Sequence, residues 1–173
     1  MFYTGVGSRE TPEHIGIVMT KLASKLEQAG YVLRSGAADG ADTFFERGVV
    51  DNKNKEVYIA WNGFSNRTDK EEGVYCCRGS IVSQAEDIAS TIHPAWDRLS
   101  RGARGLHTRN CFQVLGQNLS SPSKFLVCYA KTDKHGVPTG GTRTAWILAV
   151  NNNIPCFNLY NEEHLTRIQK YLE

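Results

Sequence analysis

Tyr31-Val32-Leu33-Arg34-Ser35-Gly36-Ala37-Ala38-Asp39-Gly40-Ala41-Asp42 decides the fold. A short strand, Tyr31 to Arg34, enters a turn of glycines and alanines, and a helix opens from about Ala41 to Val49. The same grammar stands upstream, where Met1 to Val6 reads as a strand entering Gly5-Val6-Gly7-Ser8-Arg9. Between the two turns, Thr11-Pro12 is a helix start, with the hydroxyl as N-cap and proline at the first helical position. Ile15, Val18, Leu22 and Leu26 then recur at steps of three and four along one apolar face, and Gly30 ends the helix. Glu56 to Trp61 reads as a third strand. Alternation of strand and helix predicts right-handed parallel crossovers, and ligands of such sheets bind beyond the strands' C-terminal ends. Both glycine turns fall there.

The remaining chain extends the pattern. Asn62 to Gly79 is polar and reads as a loop excursion, followed by a short helix over Ser83 to Thr91. Pro94 to Gly116 reads as mostly helical, with breaks near Gly102 and Gly105. Phe125 to Ala130 is almost wholly apolar, as a central strand requires. It leads through a polar loop, Lys131 to Pro138, into a third turn, Thr139-Gly140-Gly141-Thr142-Arg143-Thr144, with a helix over Thr144 to Val150. Ile154 to Leu159 is a further strand and Glu162 to Leu172 a closing helix. The predicted architecture is a three-layer α/β Rossmann-like domain, a mostly parallel sheet flanked by helices, with residues 1–173 as one domain.

Bulk composition narrows the function classes. A chain of 173 residues can bury a proper core, and 40% hydrophobic with 22% charged residues is ordinary for a globular protein. A net charge of +2 does not favour nucleic acid. No apolar run reaches the roughly 18–20 residues of a membrane span. MFYTGVGSRE lacks a basic region followed by a long apolar core, and five cysteines form no disulfide framework, so the expected location is cytoplasmic.

Three turns of this kind carry the functional signal. A helix N-terminus behind a glycine turn offers free N–H groups and the positive dipole end to an anion. In the first turn Glu10 stands where a dinucleotide fingerprint would have its third glycine, so a plain tight turn is as good a reading of the glycines alone. Ser8 and Arg9 beside Gly7 suit a phosphate or ribose. In the second, Asp39 and Asp42 serve either as first-turn dipole partners or as carboxylates for ribose hydroxyls or water. The small residues Gly36, Ala38 and Gly40, with Ser35, read as room for close ligand approach. The third, with Thr139, Gly140, Gly141, Thr142 and Thr144, is a neutral anion cradle. It is no P-loop, since no Gly-Lys-Ser/Thr follows.

Arg98, Arg101, Arg104 and Arg109 form a basic segment that a solvated helix face would explain. His107-Thr108-Arg109-Asn110, just before an apolar stretch, is the part expected to send a side chain into the pocket. No histidine and cysteine spacing fits a metal, and none is expected. The Cys76-Cys77 pair has no CxxC partner. Trp61, Trp96 and Trp146 divide between core packing and base stacking, core packing taking at least two.

Together the three motifs resemble the SLOG superfamily of Rossmann-like proteins, which includes the DprA/Smf DNA-processing proteins, the LOG phosphoribohydrolases and YpsA-related proteins. Gly5 to Arg9 is similar to its opening GSR turn, Ser35 to Asp42 to its second motif, and Gly140 to Ala145 to its Gly-Gly-Thr motif. Ile154-Pro155-Cys156-Phe157-Asn158-Leu159 is similar to a strand of YpsA-related members. The resemblance runs from Phe2 to about Leu159 and implies a nucleotide or nucleotide-derived ligand, no required cofactor and a homo-oligomer. It makes Arg109, within Leu106-His107-Thr108-Arg109-Asn110, the match to the catalytic arginine of the LOG enzymes. The LOG glutamate motif is not kept: Thr139 replaces its proline, Arg143 a glycine, and Ile147 stands at the glutamate. LOG-type cleavage of nucleoside monophosphates would then need another acid, such as Glu10, Asp39 or Asp42, beside Arg109. Two more functions are compatible with the resemblance. One is a module that sequesters a signalling nucleotide, and the second is DprA-like binding of single-stranded DNA.

Overall fold

The computed structural model describes residues 1–173. Six strands form one sheet in the order β4-β3-β2-β1-β5-β6, and every neighbouring pair is parallel. They are β1 (Phe2–Gly7), β2 (Val32–Ser35), β3 (Lys55–Ile59), β4 (Val74–Cys76), β5 (Leu126–Tyr129) and β6 (Cys156–Asn158). The helices are α1 (Glu13–Gln28), α2 (Ala41–Arg47), α3 (Ser80–Ile92), α4 (Arg101–Leu115), α5 (Thr142–Asn151) and α6 (Glu162–Leu172). The order runs outward from β1 to β4 on one side and to β5 and β6 on the other. The reversal between β1 and β5 is the switch point of a doubly wound sheet, where the two crossover helices diverge and leave a crevice.

Two cores cover the two sheet faces. Side chains alternate across each strand, so Val127 joins the core beneath α1, α2 and α6, while Leu126 and Cys128 join that beneath α3, α4 and α5. This is the three-layer architecture predicted. Gly30 ends α1 in the left-handed region (φ 88°), with the Tyr31 N–H reaching back to Leu26 O at 2.9 Å.

Four expectations are corrected. The span from Asn62 to Gly79 is not all loop, because Val74–Cys76 pairs with β3. Three residues between polar, glycine-bearing flanks show no alternation; pairing to the neighbouring edge makes them a strand, with Val57 N–H bonded to Gly73 O at 2.8 Å. Helix α4 runs unbroken through Gly102 and Gly105. Its start is capped by Ser100 Oγ, which accepts from the Ala103 N–H at 3.1 Å, and both glycines lie beneath the Trp61 ring. Helix α5 starts at Thr142, two residues early, so the third turn itself supplies the helix N-terminus. The Thr11 hydroxyl is no N-cap; it donates to Ser8 O at 2.7 Å and fastens the first turn.

Candidate functional site

A cavity of about 630 Å³ opens at the switch point. Its walls are the first turn, the start of α2, one face of α4, the end of β5 and the third turn. From the first turn, Gly7, Ser8, Arg9 and Glu10 line it, with Arg9 and Glu10 exposed at the rim. Ser8 Oγ accepts the Glu10 N–H at 3.0 Å, which holds the turn closed.

The second turn contributes Ala38 and Asp42. Ser35, Gly36, Asp39 and Gly40 lie outside the lining. The Ser35 hydroxyl donates to Gly5 O at 2.6 Å inside the sheet, and Asp39 is exposed. Packing accounts for the size of both glycines. A Cβ on Gly36 would stand 2.6 Å from an Arg109 guanidinium nitrogen and collide with the Gln113 amide. A Cβ on Gly40, whose φ is +77°, would stand 2.5 Å from Arg9 O. Packing of an arginine and of the first turn against Gly36 and Gly40 therefore accounts for the smallness of these two positions.

The third turn is different. Thr139, Gly140, Gly141 and Thr142 all line the cavity, and a Cβ on either glycine would meet no atom within 4 Å. Asn110 Nδ2 donates to Gly141 O at 2.9 Å, and Thr139 Oγ1 donates to Lys131 O at 2.8 Å, so the turn is held at its edges and open at its centre. Thr144 is buried behind it, its hydroxyl 2.8 Å from His107 Nδ1. Ile147 is half-buried and outside the lining.

Helix α4 supplies one wall because Leu106, His107, Asn110 and Gln113 recur at helical spacing. Of the four-residue group, His107, Arg109 and Asn110 line the cavity, while the Thr108 hydroxyl turns back to Arg104 O at 2.7 Å. Arg98 and Arg101 are exposed, as a solvated face predicts. Trp96 and Trp146 pack against the core, and Trp61 is exposed beside Phe64, outside the cavity.

At the floor lie Asp42, Arg109 and Gln113, all at least nine-tenths buried. Arg109 donates to Gly36 O at 2.6 Å, lies over the Phe64 ring at 5.5 Å, and keeps Nε unpartnered. Asp42 Oδ2 accepts the Ala38 N–H at 3.1 Å, and Oδ1 has no partner. Neither polar atom of the Gln113 amide is bonded. Burial raises the Asp42 carboxyl to about 6, with Glu46 adding to the rise and the Arg109 charge, the Ala38 N–H and the nearby Ser35 hydroxyl pulling the other way. Burial likewise lowers the Arg109 guanidinium, with Asp42 opposing. His107 is pushed down to about 4 by burial, His93 and Arg109, so its ring is neutral at pH 7.

Sequence reasoning missed Gln113, Lys131 and Tyr129 as lining residues. Gln113 could have been found by extending the Leu106–Asn110 spacing one turn. Lys131 directly follows the most apolar strand, the position where a sheet of this type meets its ligand.

No protein-family model and no curated protein sequence matches the chain. It is similar to the solved structure of DNA processing protein A from Helicobacter pylori, described for its single-stranded DNA binding mode. The two are 14% identical, the match covers 99% of this chain and 78% of that one, and the TM-score is 0.43.

Proposed function

We propose that the protein binds a nucleotide or nucleotide-derived ligand in the switch-point cavity. The observation that carries this is the open backbone of Gly140 and Gly141 at the start of α5, in the same cavity lining as the buried Arg109. N–H groups at a helix N-terminus and a guanidinium suit a phosphate, and Arg9 and Lys131 add positive charge to the lining. The cavity is large enough for a nucleoside beside its phosphate, by the usual range of ligand pockets. Ligand at about 100 times its Kd stabilises the native state by ~2.7 kcal/mol. For a chain of this length that is a rise in Tm of roughly 5–11 °C. A broad panel of nucleotides tested by thermal unfolding should contain at least one such ligand, with the shift reduced in Arg109→Ala. A panel that leaves Tm unmoved overturns the proposal.

One observation favours a catalytic version. Asp42 offers a buried carboxylate oxygen without a partner in the same cavity as Arg109 and Glu10. N-glycosidic cleavage needs a carboxylate to stabilise an oxocarbenium-like centre or to activate water. Release of free base from a nucleoside monophosphate, lost in Asp42→Asn while binding persists, is the expected result. Intact recovery of every bound ligand reduces the function to binding.

A further inference from the structure

Asp42 and Arg109 share the cavity floor without pairing. Their exposures are 3% and 7%. The ion pairs of the protein lie elsewhere, so no Asp42 oxygen comes within 4.0 Å of the guanidinium. Each group keeps an unpartnered atom, Oδ1 on Asp42 and Nε on Arg109. Native interiors rarely leave buried polar atoms unpaired, and here two of opposite charge sit on residues that line one cavity, each with almost no accessible surface of its own. A group that satisfies both must accept from Arg109 and donate to Asp42. A tetrahedral oxyanion with one O–H does both. An oxyanion without a proton turns only acceptors toward the carboxylate and sets charge against charge.

We propose that Asp42 makes this cavity selective for oxyanions that carry a proton, phosphate over sulfate, and that an unprotonated oxyanion binds there only with uptake of a proton by Asp42. The inference rests on the anion-binding reading above. Several charged groups surround Asp42. Arg109 acts on it from α4 and Glu46 from its own helix. Arg9, Glu10, His107 and Lys131 line the same cavity. His107, neutral above its pKa of about 4, supplies no proton near neutral pH. Arg109 cannot lose one in that range. Asp42, already raised to about 6, is the group within reach.

The test titrates wild-type protein with sodium phosphate and with sodium sulfate from pH 5.5 to 8.5 by calorimetry, at constant ionic strength. Phosphate keeps at least one P–OH across this range and sulfate has none. Uptake of one proton makes sulfate affinity fall about tenfold per pH unit above pH ~6. Phosphate affinity stays level within about threefold, so the preference reaches about 100-fold near pH 8. In Asp42→Asn the sulfate slope and the preference disappear. The wild-type ratio decides the matter even if that variant fails to fold. Equal affinity for both ions at every pH overturns the selection and leaves anion binding standing. Binding of neither ion at any pH removes the anion-binding reading, and this inference with it.

Discussion

Replacing Asp42 by asparagine should make the protein more stable at neutral pH, and the gain should vanish in acid. The folded-state pKa of about 6 lies above the ordinary value of 3.8. Well below pH 3.8 the carboxyl is protonated in folded and unfolded chains alike, and it biases neither. As pH rises from 4 to 6, the unfolded chain releases its proton while the folded one keeps it, so unfolding is favoured. Above pH 6 the folded chain carries the full cost of a buried, half-paired charge. A gap of about two pKa units at 1.36 kcal/mol each is about 3 kcal/mol. Asparagine keeps an acceptor for the Ala38 N–H and carries no charge to desolvate. The attraction of Arg109 is already contained in the value of 6. The expected gain is therefore up to ~3 kcal/mol at pH 7, or roughly 6–12 °C in Tm. His107 works in the opposite direction. Its pKa is lowered to about 4, so stability is lost as pH falls from the ordinary value of 6.5 toward 4. The ring is only half-buried, which makes its share smaller. The wild-type curve thus mixes two opposed slopes in one window, and the difference between variant and wild type isolates Asp42. Urea unfolding of both proteins from pH 3.5 to 7.5 measures it. A difference that is constant across pH, or a variant less stable than wild type at pH 7, refutes the reasoning.

Two further stability tests separate structural from open glycines and probe the sheet. Gly36→Ala should cost about 1–3 kcal/mol by overpacking against Arg109 and Gln113, whereas Gly141→Ala, with helical φ and no atom near its Cβ, should stay within about 0.5 kcal/mol. Equal Tm losses in the two variants would show that the packing argument is wrong. Arg34→Met should cost about 3 kcal/mol in urea unfolding, because the buried guanidinium bonds Glu56 Oε1 at 3.0 Å, Ser121 O at 2.5 Å and lies over the Phe2 ring. A loss under about 1 kcal/mol would mean that the apolar replacement repacks as well as the ion pair.

The parts of the fold legible in the sequence are those whose information is local. Helix α1 repeats its apolar residues over four turns, and α6 follows an Asn161 cap that accepts from the N–H groups of Glu163 and His164. Strand β5 is apolar because both of its faces are covered. Strand β4 is legible nowhere in its own residues, since an edge pairing creates it. The same division runs through the site. Three glycine turns after three strands mark the C-terminal edge of a parallel sheet, and that much follows from order alone. Which glycines face a ligand does not follow, because Gly36 and Gly140 look alike as letters. Gly36 is small for Arg109, a residue from a distant helix, whereas Gly140 has nothing against it and is glycine for its left-handed φ of 70°.

That difference sharpens what the turns do. The second turn is small so that Arg109 can lie against its backbone and donate to Gly36 O. The groups it brings to the cavity are that arginine and Asp42. The third turn gives its backbone directly, and Asn110, the residue after Arg109, reaches Gly141 O. Helix α4 thus grips both glycine turns, one through Arg109 and the other through Asn110. These two neighbouring residues tie the helix to turns that belong to opposite halves of the sheet. Loss of the Asn110 contact frees an edge of the third turn without touching the floor, whereas loss of Arg109 leaves Asp42 uncompensated. The two positions should therefore separate in experiment, Asn110 governing the order of the cradle and Arg109 the charge beneath it.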